Sequence, residues 1–244
     1  MSTEWDSEFA KFRTEQLDNQ ISDLEFRSKS KDWFNMSVSH KYSYQFDWLG
    51  VPIIQMPSDL ILFQEIVWDT QPDLIIETGI ARGGSLVFWS SVQNLCGIDG
   101  KVIGIDIDVR THARNAISSC RFSENIIIIE GSSVDQTVVE KVHSISQGFS
   151  RIMVVLDSNH SKDHVLKEMN AYSNLVTKGN YLLVLDTSVE IMEVPLDRPW
   201  GPGNSPGTAV DDFLKVMGSK FKQVNNWSER SVLSMAHGGF LRRV

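Results

Sequence analysis

Apolar residues recur along this chain in two different rhythms. Between residues 74 and 187 they come in short, near-continuous runs: LIIE, KVIGIDI (101 to 107), NIIIIEG (125 to 131), RIMVVLDS (151 to 158) and YLLVLDT (181 to 187). Such runs predict strands buried on both faces, as in a parallel sheet. Stretches of helical spacing separate them, as right-handed crossovers require. Elsewhere the rhythm is helical. Trp5, Phe9, Phe12, Leu17, Ile21 and Leu24 fall at helix-like intervals among charges and predict an amphipathic helix from residue 3 to about 27. SDLILFQEIVWD predicts another, with Ser58 as its cap. The intervening KDWFNMSVSHKYSYQFDWLGVPIIQMP has aromatic residues without a clean period and ends in Pro52 and Pro57, so it reads as an ordered loop or flap.

The tail breaks the alternation. A loop from Pro195 to Gly207 holds four prolines and three glycines. A helix is expected near 208 to 217, then a strand from Phe221 to Trp227 and a last one from Ser231 to Leu241, joined by the turn-rich NNWSER. The predicted architecture is Rossmann-like α/β: a mostly parallel seven-stranded sheet with an antiparallel strand near the C-terminus and helices on both faces. Residues 1–56 form an N-terminal helix and flap, and residues 57–244 one domain.

Composition narrows the function classes. The chain has 244 residues, 41% of them hydrophobic, enough to bury one large core. A formal charge of -8 without a basic stripe argues against nucleic acid or an anionic membrane as partner, leaving small ligands. Cys96 and Cys120 form no CxxC pattern, so neither a disulfide framework nor a zinc knuckle is expected. No run of about 18 apolar residues and no signal-like leader is visible, so the expected setting is the cytoplasm. The aromatic face of the first helix suggests a homo-oligomer.

The most informative stretch is Leu74 to Ser85, LIIETGIARGGS. A buried strand ends in Glu77 and Thr78, breaks at Gly79, and passes Ala81, Gly83, Gly84 and Ser85 into a helix. In open α/β sheets such a turn lies at the carboxyl end of a strand, where backbone and a helix N-terminus face a nucleotide-like ligand. Asp106 lies 27 positions beyond Gly79, at the end of the next strand, where a carboxylate can accept from ribose hydroxyls. The spacing G-x-x-x-G-G departs from the dinucleotide pattern and lacks the lysine of a P-loop, which disfavours a diphosphate cofactor. Asp157 and Asp186 also close strands, so four acids would share one rim. Plainer roles stay open: left-handed turns for the glycines, helix caps for Asp157 and Asp186, solvated loop or helix positions for His160 and His164.

Glu77, Gly79, Gly83 and Ser85, with Asp106 and the run Gly131, Ser132, Ser133, resemble the cofactor signature of class I S-adenosylmethionine-dependent methyltransferases. FDWLGVPIIQMPSDLILFQEIV, ETGIARGGS, GIDIDVR, LDSNH and GPGNSPGTAVDDFL in this order resemble the cephalosporin hydroxylase family, which includes macrolide-sugar and rhamnosyl O-methyltransferases. The resemblance implies cofactor contacts from Glu77, Thr78, Gly79, Ala81, Gly83, Gly84, Ser85, Asp106, Ser132, Ser133 and Asp157. It implies Mg²⁺ held by Asp157, Asp186 and Thr187, and catalysis by His160 with Asp157. Where the family carries a further acid, this chain has Leu185. The implied activity is methyl transfer to a sugar hydroxyl of a glycan or natural product. The alternatives are a hydroxylation or methoxylation role, an NAD-linked oxidoreductase, or a non-catalytic cofactor-binding subunit.

Overall fold

A computed structural model describes residues 7–193, 198–232 and 234–244. The predicted positions of Trp5 and Pro195 lie outside them. Nine helices and nine strands are present among the described residues. The chain opens with α1 (Ser7–Ser22) and α2 (Leu24–Ser39), then a hairpin of β1 (Phe46–Trp48) and β2 (Val51–Ile53), and α3 (Pro57–Thr70). Alternation then begins: β3 (Leu74–Thr78), α4 (Gly84–Leu95), β4 (Lys101–Asp106), α5 (Thr111–Ser119), β5 (Ile126–Glu130), α6 (Gln136–Ser146), β6 (Ile152–Leu156), α7 (Lys162–Tyr172) and β7 (Tyr181–Val184). It closes with α8 (Pro206–Met217), β8 (Phe221–Gln223), α9 (Asn225–Ser231) and β9 (Phe240–Arg243).

Seven strands form one sheet in the order β5-β4-β3-β6-β7-β9-β8. β3 pairs in parallel with both β4 and β6, and β9 runs antiparallel to both β7 and β8. All five residues of β3 are buried, as are those of β6, so with no wet face β6 is apolar throughout and β3 is apolar up to Glu77 and Thr78 at its carboxyl end. Two apolar clusters cover the two faces: one gathers Ile75, Phe63 and Trp89, the other Ile76, Val154 and Tyr172. The order of strands reverses at β3. Chains leaving β3 and β6 therefore diverge and open a crevice at their carboxyl ends.

Several expected boundaries move. The first amphipathic stretch is two helices, broken at Asp23, whose carboxylate caps α2 by accepting from Phe26 N at 2.9 Å. α1 buries no residue. Helix α2 continues through Ser39, so residues 31 to 39 are helical where an irregular loop was expected. The aromatic residues there pack locally: Tyr42 stands edge-on between Trp33 and Phe46. Helix α3 starts one turn position earlier than expected, with Pro57 at its first position and Met56 rather than Ser58 as cap. NNWSER is helix α9, not a turn, because Trp227 is drawn inward to donate from Nε1 to Tyr181 Oη at 3.1 Å. The last strand consequently begins only at Phe240.

The hairpin sits hard against the start of α4. A Cβ on Gly84 would lie 2.3 Å from Pro52 O and 2.8 Å from Ile53 Cα, so only glycine lets the two backbones meet. Gly84→Ala is expected to lower stability by about 1–3 kcal/mol, the range for forced overpacking. Urea unfolding measures it, and an unchanged midpoint would show that the hairpin shifts freely.

Candidate functional site

The site grows from the crevice beside β3. Gly79 N donates to Ile105 O at 2.8 Å, and Asp157 N donates to Thr78 O at 2.9 Å, so the ends of β3, β4 and β6 are tied together. Gly79 has φ +93°, and a Cβ there would lie 2.0 Å from Asp157 O. A side chain is excluded twice over, by conformation and by contact. Gly83, at φ +92°, faces Ile117 side-chain atoms about 3.0 Å from a hypothetical Cβ. The missing side chains of Gly83 and Gly84 thus make room for protein, and that of Gly79 for the close passage of β6.

Asp106 anchors the turn between them. Its Oδ2 accepts from Ile80 N at 2.8 Å and from Ala81 N at 3.3 Å, while Oδ1 accepts from Asp108 N at 3.1 Å. The carboxylate holds Ala81 in the left-handed region, φ +46°. It also borders a cavity of about 320 Å³ lined by Gly79, Ala81, Ile105, Ser132, Ser133, Asp157, His164 and Trp200, among others. Most of the predicted cofactor residues meet here or in a smaller recess between Gln55, Gly79, Ser85 and Asp157. Thr78 is buried, and Ala81 is exposed.

Glu77 lies fully buried below this turn, with Oε2 lacking a partner. Burial pushes its carboxyl up to about 8, opposed by hydrogen bonding from Ser85. Asp157 is likewise raised well above the carboxylate range, first by burial and then by Asp186, Glu77 and Glu168, while Gln55 Nε2, donating at 3.0 Å, opposes the rise. Asp59, on α3, accepts from Met235 N at 2.8 Å. Burial, with Asp186 nearby, raises it to about 7. Acidic groups therefore crowd one region, and among the described residues none of the ion pairs joins Glu77, Asp157, Asp186, Asp59 or Glu168 to lysine or arginine.

Asp157, His160 and Asp186 converge, each offering a ligand atom within 4.8 Å of the others. His160 Nδ1 lies 3.1 Å from Asp186 Oδ2, and the imidazole stands edge-on to Trp200 with ring centres 5.1 Å apart. Asp186 itself is left-handed, φ +54°, at the bend after β7. Thr187 turns away: it is buried and donates from Oγ1 to Met235 O at 3.4 Å. Leu185 is buried in the apolar cluster. The third group beside the two carboxylates is thus an imidazole, not the threonine hydroxyl predicted from the resemblance.

Trp200 belongs to the proline- and glycine-rich loop, and Glu190 secures that loop. Its carboxylate accepts from Gly203 N at 3.1 Å, from Ser205 Oγ at 2.5 Å and from Thr208 Oγ1. Partial burial acts to raise the Glu190 carboxyl, but the hydrogen bonds from Ser205, Thr208 and Gly203 outweigh it and hold the group below its ordinary value. Sequence reasoning missed Gln55, Asp59, Glu190 and His164. Gln55 and Asp59 lie inside a motif read only for its pattern, and His164 looked like an ordinary helix residue.

Residues 40–244 match the family model described as Rhamnosyl O-methyltransferase/CmcI. The rhamnosyl O-methyltransferase of Mycobacterium leprae is 31% identical over 197 residues, 80% of this chain and 82% of that protein. That of Mycobacterium tuberculosis is 28% identical over 212 residues, covering 84% and 83%. A structure of CmcI with Mg and SAM superposes with a TM-score of 0.60 at 22% identity, over 82% of this chain and 77% of that one. The O-methyltransferase TomG from Streptomyces achromogenes, in complex with SAM, gives 0.51 at 16%, over 77% and 79%. The fold is that of class I methyltransferases.

Glu77 titrates at about 8 in the folded chain and in the usual carboxylate range when unfolded. The folded state then holds one more proton between those values, so stability falls as pH rises through that window. Glu77→Gln is expected to unfold at higher urea than the wild type at pH 8, by roughly 1–3 kcal/mol, and to match it near pH 4.5. A difference that is the same at both pH values would show that Glu77 does not carry the effect.

Proposed function

We propose, from the chain's membership of the Rhamnosyl O-methyltransferase/CmcI family, that it transfers methyl from S-adenosylmethionine to a sugar hydroxyl of a glycan or small natural product. The O-methyltransferase class rests on the family. The acceptor class is our reading, supported by the curated relatives named rhamnosyl O-methyltransferases. The observation that carries it is the meeting of Asp157, His160 and Asp186 beside the Gly79 turn.

The residues present suit a cationic cofactor and a dication. A buried acid with an unpartnered oxygen, Glu77, underlies the turn, and burial, reinforced by the carboxylates around it, disfavours charge on Asp157. Asp157 and Asp186 offer hard oxygen donors, with the imidazole of His160 beside them. When bound, the cofactor supplies an electrophilic methyl on sulfur, and Mg²⁺ supplies Lewis acidity next to the acceptor oxygen. Ser132 and Ser133 would hold the adenosyl end and Asp106 the ribose; all three line the same cavity.

The chain's own residues then handle the proton and the geometry. Asp186 Oδ2 beside Nδ1 favours the tautomer with hydrogen on Nδ1, which leaves Nε2 of His160 as the acceptor for the hydroxyl proton. By taking up that proton, His160 would free the acceptor oxygen for the methyl that the bound cofactor would supply. Trp200 backs the imidazole and helps keep water out. Gln55 fixes Asp157 from the hairpin side, so the flap and the reacting end are held together. A vicinal diol is the favoured acceptor, since two adjacent oxygens engage a cation best.

The remaining parts of this reading concern assembly and setting. Residues 1–56 serve as helical arm and flap to the methyltransferase domain. Phe12, Leu24, Trp33 and Met36 are exposed on α1 and α2, which supports a homo-oligomer formed through this arm. No described helix is long and apolar enough to cross a membrane, and both cysteines are free, which supports a cytoplasmic setting.

Calorimetry with S-adenosylhomocysteine is expected to show binding that Asp106→Ala weakens at least tenfold or so, the scale of losing a charged hydrogen-bond partner. His160→Gln should lower kcat for a diol-bearing glycoside by roughly 10²–10⁴ while leaving that binding intact. Wild-type turnover with a His160→Gln rate equal to it would remove the imidazole from the mechanism. Light scattering of a Phe12→Glu, Met36→Glu double variant should report a smaller particle than the wild type, and equal masses would exclude this face from assembly.

A further inference from the structure

Beneath one end of the larger cavity lies a polar chain that the methyl-transfer chemistry leaves unused. Glu168, on α7, is completely buried, and its Oε2 has no partner. Its Oε1 accepts from Ser158 Oγ at 2.6 Å and lies 3.4 Å from His164 Nε2. The same Nε2 is 3.1 Å from Ser133 Oγ and 3.4 Å from Ser158 Oγ. Tyr172, one turn beyond Glu168, donates from Oη to Ser133 O at 2.5 Å and so fixes the backbone of that serine. His164, Ser133 and Ser158 all border the cavity.

The hydrogen positions follow from the acid. A carboxylate oxygen beside Nε2 favours a proton on that nitrogen, because two facing lone pairs repel. Nε2–H then donates to Ser133 Oγ, the nearest of its oxygens. Ser133 can no longer donate to the imidazole, and its own O–H is left to point elsewhere. Ser133 lines the cavity, so its O–H can turn into it, between the apolar walls of Ile105, Ile107 and Trp200. A flat heterocycle with a bare ring nitrogen satisfies that donor.

We propose that His164 is a positioning residue that makes this cavity selective for a 6-aminopurine. Acting through Ser133, it presents an O–H donor to a ring nitrogen that is an acceptor in adenine and carries hydrogen in hypoxanthine. The proposal rests on the reading of the cavity as the adenosyl end of the cofactor site. A site built around one buried donor rejects an analogue that meets it with another donor, since both are left unpaired.

The test compares 5′-methylthioadenosine with its 6-oxo counterpart, 5′-methylthioinosine, by calorimetry, with S-adenosylhomocysteine as reference. The wild type is expected to prefer the amino form by roughly tenfold or more. His164→Ala should reduce that preference to within about threefold, as should Ser133→Ala, which removes a single oxygen. Glu168→Gln, which keeps the shape but frees the tautomer, should move it the same way. A structural role alone would weaken both nucleosides equally and keep the ratio, and that result overturns the proposal. Wild-type binding of S-adenosylhomocysteine without any preference between the nucleosides also overturns it, leaving the cofactor assignment standing. No binding of S-adenosylhomocysteine to the wild type would instead overturn that assignment, and this inference with it.

Discussion

Everything at the rim depends on one backbone contact, the passage of the chain after β6 over Gly79. With no room for even a methyl group there, the ends of β3 and β6 run within van der Waals distance. That approach brings Glu77, below the turn, within electrostatic reach of Asp157, and it places Asp157 at the mouth of the crevice. The parallel register sets the same geometry from the other side: Glu77 aligns with Val155, and Thr78 with Leu156, so Asp157 leaves the sheet level with Gly79. A sheet that reverses its order at β3 cannot avoid a crevice at this point. What the sequence adds is the choice of acids to line it.

Those acids make the unliganded rim electrostatically unfavourable. Burial disfavours charge at Glu77, Asp157 and Asp59, and repulsion from neighbouring carboxylates adds to it at Asp157 and Asp59. Proteins retain such arrangements where a positive ligand completes them. The neighbouring hydrogen bonds are arranged with equal care. Gln55 satisfies Asp157, Asp106 sets the turn while still bordering the cavity, and Glu190 draws in the loop that carries Trp200. Binding energy can then go to the cofactor and acceptor instead of to organising the loops.

The fold was legible because its signals are local and redundant. Continuous isoleucine and valine runs read as doubly buried strands, and all five central strands lie where they were expected, with ends within three residues. The misplaced elements are those decided by tertiary contact. Helix α9 forms in a turn-like sequence because Trp227 has a buried partner in Tyr181, and α2 runs on where Trp33 packs on Tyr42, which packs in turn on Phe46 of the hairpin. The site was legible in part. Strand-end acids and the glycine spacing could be read in order, since chain direction places them on one edge. Gln55, Asp59 and Glu190 could not, because each acts on a residue remote in sequence. The direction of Thr187 was equally hidden: its hydroxyl is claimed by a carbonyl 48 residues away.

Leu185 decides where charge can sit at the end of β7. The side chain lies in the same apolar cluster as Ile53, Phe63 and Leu183, where a carboxylate would be desolvated without a partner. An acid at this position would therefore require the surrounding packing to change with it, so the interior itself confines the carboxylates beside His160, among the described residues, to Asp157 and Asp186.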